Sequence, residues 1–265
     1  MKAVGRSAAA ELCLVPVQFP TDSYVSQAEV GKRSEHMSIN WQSFRLTLEL
    51  ALIVSAILLV IGLPLAYWIA FSRRRWKFLV EAIVALPIVL PPTVLGFYVL
   101  VALGSRSPLG RWWQSLTGHT LAFTFNGLVI GSILYSLPFA VQPFTAAFSS
   151  VDRKLWIASA TLGASPLRTF FRVVIPLSVP GLVTGVVLAF AHTMGEFGVV
   201  LMIGGNIPGV TRTVSIDIYD QVQASNYAAA NATALLLLVF CFVVLTAVYA
   251  LNRRTPKLWT LGPVK

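Results

Sequence analysis

Five long apolar stretches separated by short polar connectors dominate the pattern of the chain, over 46–71, 78–103, 121–148, 173–203 and 228–251. Each matches or exceeds the roughly 20 apolar residues a helix needs to cross a hydrocarbon core about 30 Å thick. In lipid the backbone must satisfy its own hydrogen bonds, so each run is predicted to be helical. The pattern predicts an all-α, polytopic membrane bundle of five transmembrane helices. Residues 1–40 are mixed and polar and predict a disordered tail; 41–265 predict a single domain with its core over 44–252. The apolar piece 12–19 is broken by Pro16 and too short for a signal-peptide core. Met37 opens Met-Ser-Ile-Asn-Trp, which runs straight into the first span and marks an alternative translation start.

The connectors set the topology. Arg73, Arg74, Arg75 and Lys77 follow the first run; Arg153, Lys154, Arg168 and Arg172 follow the third; Arg253, Arg254 and Lys257 follow the fifth. The other two connectors carry only Arg106 and Arg111, then Arg212. Basic loops stay inside, so the N-terminus is expected outside and the C-terminus in the cytoplasm of a bacterial inner membrane. Lys2, Arg6, Lys32 and Arg33 of the tail argue the other way, but three short loops outweigh one tail.

Composition agrees with the pattern. Hydrophobic residues make up 56% of the chain and charged residues 11%, against the quarter usual in soluble domains. The net charge of +10 lies in connectors rather than on a face interleaved with aromatics, so no nucleic acid is expected as a partner. The two cysteines, Cys13 and Cys241, form no Cys-x-x-Cys pair, which argues against a disulfide framework or zinc site. His119 and His192 each lack a second ligand at suitable spacing and read as surface or packing residues. No cofactor, metal or catalytic residue is expected. Trp112, Trp113 and Trp259 fall where aromatic belts occur.

Proline is frequent within the runs: Pro64, Pro87, Pro91-Pro92, Pro138, Pro143, Pro176 and Pro180. Each removes a backbone hydrogen bond and kinks its helix. Kinked spans fit a transporter that rearranges, although membrane helices also tolerate proline for structural reasons alone.

The connector over 149–172 carries the most information. Ser149 predicts an N-cap with Asp152 three residues on, Gly163 a left-handed helix end, and Ser165-Pro166 a second helix start. Leu155, Ala158 and Leu162 fall on one face of the first short helix. Such a helix–turn–helix is either a rigid knob for a partner's groove or a re-entry loop on the headgroups.

The string Ala158-Ser159, Gly163 four residues on, then Val173-Val174-Ile175-Pro176 resembles the coupling-loop signature of ABC importer permeases, Glu-Ala-Ala-x-x-x-Gly-x9-Ile-x-Leu-Pro. Ile157 departs from the signature glutamate, which removes any salt bridge from that position. Leu86-Pro87-Ile88-Val89-Leu90-Pro91-Pro92-Thr93, Gly195-Glu196-Phe197-Gly198 and Asn206-Ile207-Pro208-Gly209 with Thr211-Arg212-Thr213 are similar to the molybdate branch of that family. The resemblance implies the type I, MetI-like permease fold and molybdate import, with tungstate left open. Sulfate and thiosulfate permeases, which share the first two strings more than the last, are the alternative. It further implies a homodimer, two ATP-binding cassette ATPase subunits docked on the coupling loop, and an external oxyanion-binding protein.

The chain contains no Gly-x-x-x-x-Gly-Lys-Ser/Thr loop, so ATP hydrolysis is expected on a separate subunit. An intramembrane protease is the rival from another class, but Gly163-Ala164-Ser165-Pro166 lacks the Gly-x-Ser-Gly nucleophile. A membrane scaffold is a further rival, and would not need the turn at Gly163. Pro91, Pro92, Thr93, Gly195, Glu196 and Gly198 are the gate candidates. Glu196 is read as shaping the gate or capping a helix end near the outer boundary, since a carboxylate in the path would repel an oxyanion. Outside, Val214, Ile218 and Val222 predict a short amphipathic helix, and Asn206, Pro208 and Arg212 an outer loop whose guanidinium either attracts an anion or is merely exposed.

Overall fold

The computed structural model describes residues 39–254, with side chains to 250, so the tail, the Met37 start and Trp259 lie outside the described residues. All regular structure among them is helical: α1 (Trp41–Phe71), α2 (Lys77–Val89), α3 (Pro92–Leu103), α4 (Pro108–Thr117), α5 (Phe125–Ser149), α6 (Arg153–Thr161), α7 (Pro166–Thr169), α8 (Ile175–Met194), α9 (Gly198–Gly204), α10 (Val214–Gln223) and α11 (Tyr227–Arg254). Four helices are long and apolar enough to cross a membrane alone: α1, α5, the continuous Pro166–Met194 and α11. A fifth crossing exists only if α2 and α3, bent by 112°, count as one span.

The second of the five predicted runs is therefore sharply bent, and the cause of the bend is local. A residue before proline is pushed out of the helical region into extended backbone. Leu90 precedes Pro91, and Pro91 precedes Pro92; both are extended, with ψ of 137° and 134°. Two extended residues in succession turn the chain, and Pro92, whose missing N–H costs nothing at a first helical position, restarts it. A single proline acts differently: Pro64 sits inside α1 without ending it.

The core is a three-helix packing of α1, α5 and α8. Phe144 of α5 is fully buried between two glycines. A Cβ on Gly62 of α1 would meet its ring at 3.2 Å, and one on Gly185 of α8 at 2.6 Å. Lipid offers no hydrophobic drive between helices, so their association rests on such close fits at small residues. Leu50, Val54 and Leu58 of α1 and Phe148 of α5 complete the buried face.

The run predicted as one helix over 173–203 is broken. α8 ends at Met194, Gly195 to Phe197 leave the helix, and α9 begins at Gly198. On its other side α8 continues back through a π-helical turn, Phe170–Val174, into α7. Pro176 has no N–H to return to the carbonyl of Arg172, which removes one helical rung beside that wider turn.

Outside this core, α3 packs on α9, and α10 packs on α11. α10 is anchored to α1 from its first residue: the N–H of Val214 donates to Thr47 Oγ1 at 2.8 Å. Its buried residues are Val214, Ile216 and Asp217 rather than the predicted Val214, Ile218 and Val222. Asp217 draws that face inward, because it accepts from Asn40 Nδ2 at 2.9 Å and Gln221 Nε2 at 2.6 Å.

Candidate functional site

Two places concentrate chemistry. The first is the connector between α5 and α8. α6 begins at Arg153, and its cap is Asp152, whose Oδ1 accepts from the N–H of Lys154 at 2.8 Å. Ser149 does not cap it. That residue is the last of α5, which runs longer than expected, and Asp152 starts the new helix instead. Gly163 has φ of +78°, the left-handed conformation that glycine adopts without Cβ strain. Ser165 Oγ accepts from the N–H of Arg168 at 3.3 Å, with Pro166 at the first helical position.

The two short helices are tied together. The hydroxyls of Ser159 and Thr169 are hydrogen-bonded across the turn. Leu155 and Ala158 are exposed and Leu162 is 87% exposed, so the predicted stripe faces away from the bundle. Ile157, where the signature has glutamate, is 64% exposed and extends the apolar surface. Behind it, Trp156 meets Phe71 edge-on at 5.4 Å; Phe71 meets Tyr67 at 4.9 Å, and Tyr67 meets Phe170 at 4.9 Å. A chain of packed rings therefore runs from the connector surface to α1 and to the entry of α8, where Pro176 lies half-buried.

The second place is where the two broken helices meet. A cavity of about 570 Å³ is lined by Pro92, Thr93, Gly195, Glu196 and Gly198, five of the six gate candidates, with Pro91 adjoining in the chain. The contact is close: a Cβ on Gly198 would lie 2.7 Å from Pro92 Cβ. Glu196 is 3% exposed, and neither carboxyl oxygen has a hydrogen-bond partner among the described residues. Ser132 of α5 is the polar neighbour, but its hydroxyl falls outside hydrogen-bonding geometry and is itself unpartnered. Glu196 thus occupies the buried junction of two broken helices and caps no helix end.

Tyr135 and His192 line the same cavity, and sequence reasoning passed over both as site residues. The His192 ring stacks on Phe139 at 3.8 Å, as the packing reading expected, yet its Nε2 is buried without a hydrogen-bond partner among the described residues. No spacing rule joins α5 to α8, so the sequence carries no signal for this pairing. Among the described residues no group of three or more His, Cys, Asp or Glu side chains converges to hold a metal ion.

The outer loop does not present a free guanidinium. Arg212 Nε donates to Asn206 Oδ1 at 2.6 Å, Asn206 Nδ2 donates to Asp220 at 2.6 Å, and Arg212 pairs with the same carboxylate at 3.5 Å. Pro208 is exposed beside this network.

Residues 62–257 match the family described as the binding-protein-dependent transport system inner membrane component. The molybdenum transport system permease protein ModB of Azotobacter vinelandii is 52% identical over 83% of this chain and 96% of its own length. The protein of that name from Escherichia coli K12 is 37% identical over 69% and 80%. A probable sulfate transport system permease of Nephroselmis olivacea is 29% identical over 89% and 84%. Among solved structures, a bacterial ABC transporter involved in alginate import superposes with a TM-score of 0.68 at 17% identity, covering 89% of this chain and 86% of that one.

Proposed function

Because this chain belongs to the family of binding-protein-dependent transport system inner membrane components, we propose that it forms the membrane path of an ABC importer for molybdate. The observation that carries the substrate is the 52% identity with a molybdenum transport permease along nearly its whole length, against 29% with a sulfate permease. Tungstate shares the charge and tetrahedral shape of molybdate and belongs to the same proposal.

In this reading two copies of the chain line the path. Two ATPase subunits grip the connector around α6 and α7, and an external protein delivers the oxyanion to the α9–α10 side. The basic connectors lie inside, which places the C-terminus in the cytoplasm. Closure of the ATPases pushes on the exposed Leu155, Ala158 and Leu162 surface. The aromatic chain behind Trp156 carries that push to α1 and α8 as a rigid-body displacement. The α3/α9 junction is the part that opens, because each of its helices already ends there and can rotate without breaking a continuous hydrogen-bond ladder. Glu196 lines the junction as a gate residue and is not assigned as a ligand for the anion. Selectivity then resides largely with the delivering protein, and nothing in the path needs to form a tight anion cage.

The test is molybdate uptake in cells with the chain deleted and restored, with sulfate as competitor. Restoration of uptake that excess sulfate leaves intact is the expected result. Sulfate uptake that follows the chain, or molybdate uptake indifferent to it, would overturn the substrate assignment.

A further inference from the structure

Two neighbouring cavities at the connector end of the bundle share Tyr67 as a common wall, apart from the α3/α9 junction. One, about 410 Å³, is a hydrocarbon groove in which Val60 and Leu63 of α1 face Leu167 and Phe171 of the re-entering chain. The other, about 420 Å³, is lined by Arg73 and Arg153 beside Trp156. No carboxylate lines either cavity, and neither arginine has an ion-pair partner among the described residues. Arg168 and Arg172 add positive charge along the same connector.

Unpaired guanidinium groups beside an open apolar groove call for an anion joined to a hydrocarbon chain. The spacing agrees. Leu63 lies eight residues before the end of α1, about 12 Å along the helix, and Arg73 is two residues further. The groove therefore reaches about one leaflet below the guanidinium, half of a core roughly 30 Å thick. Phe171, 65% exposed at the groove, is a large apolar side chain that an acyl chain would cover.

We infer that these cavities are a site for one anionic phospholipid, with an acyl chain in the Leu63–Phe171 groove and the phosphate between Arg73 and Arg153. The lipid ties the end of α1 to the start of α6, the two elements that the connector must move together. The inference rests on the membrane reading of the fold and does not depend on which ion is carried.

The full chain, purified with its associated ATPase, is loaded with phosphatidylglycerol or with phosphatidylcholine of the same acyl chains, and bound lipid is counted by native mass spectrometry. One basic residue near a headgroup contributes about a fivefold preference for an anionic lipid and two about thirtyfold. The expected result is one phosphatidylglycerol per chain, preferred by about that larger factor. Arg73→Gln and Arg153→Gln should each remove about fivefold of the preference, and the double variant all of it. Leu63→Trp, which fills the groove, should weaken both lipids alike. Equal retention of the two lipids, an unchanged preference in the double variant, or displacement by inorganic phosphate would overturn the site. So would lipid binding only after the ATPase is stripped away, which would give the surface to that subunit. Molybdate uptake by the unaltered chain keeps the two readings apart: equal retention of the two lipids with intact uptake overturns the lipid site alone.

Discussion

Gly198→Ala probes the junction of the broken helices with a single added carbon. The new Cβ would sit 2.7 Å from Pro92 Cβ, and the next nearest atoms, Pro92 Cγ and C, lie at 3.6 and 3.7 Å. Carbon atoms pack best at about 3.5–4.0 Å, so α3 and α9 must part by about 1 Å or distort. Overpacking of this kind costs about 1–3 kcal/mol, a factor of roughly 5 to 150 in the equilibrium between closed and parted junctions. Nothing else at the site opposes alanine, because Gly198 does not use a left-handed backbone. The clash is with one atom, so Pro92→Gly, which deletes that atom, should restore most of what Gly198→Ala loses. A double-mutant cycle on thermal unfolding of the purified assembly, with molybdate uptake in parallel, reads the coupling. Losses that simply add, or a neutral Gly198→Ala, would refute the packed junction.

Gly163→Val meets no neighbour within 4 Å, so its cost is backbone strain alone, about 1–2 kcal/mol for a branched residue at φ of +78°. It should lower the yield of co-purified ATPase while the chain still reaches the membrane. Glu196→Gln keeps size and removes the ionisable group from a carboxyl with no hydrogen-bond partner among the described residues; membrane levels should hold while uptake changes, and a parallel fall in both would mark a folding role. Thr47→Val leaves the N–H of Val214 unpaired in a buried place, at a cost of about 1–3 kcal/mol, and hydrogen exchange in α10 should rise while α5 stays protected.

Hydropathy made the long spans legible because each is apolar over enough residues to outweigh local signals. It could not show the breaks. Leu90 and Gly195 both lie within apolar sequence, and a hydropathy count is blind to backbone angles. Pro91-Pro92 did carry a readable signal, since consecutive prolines force two extended residues, whereas the lone Pro64 stays helical. The turn between α6 and α7 was legible at Gly163 and Ser165-Pro166 for the same reason: glycine, serine and proline act through local backbone preferences. Its start was misread at Ser149, because the end of α5 is set by packing against α1 rather than by a cap. The gate candidates were proposed from sequence words and five of them line one cavity, yet Tyr135 and His192 join them only through the packing of α5 on α8. Arg212 looked free because Asp220, eight residues on, lies on a helix whose orientation is fixed by the buried Asp217.

The account turns on which side of the membrane the α6–α7 connector faces. Leu162→Cys in a Cys13→Ser, Cys241→Ser background places one thiol at its most exposed apolar position. Treated with a membrane-impermeant maleimide, this variant should stay unlabelled in intact cells. It should react in inverted vesicles stripped of the ATPase and be shielded again when the ATPase is returned. Labelling in intact cells would place the connector outside, where no ATP-driven subunit can reach it, and would contradict the account.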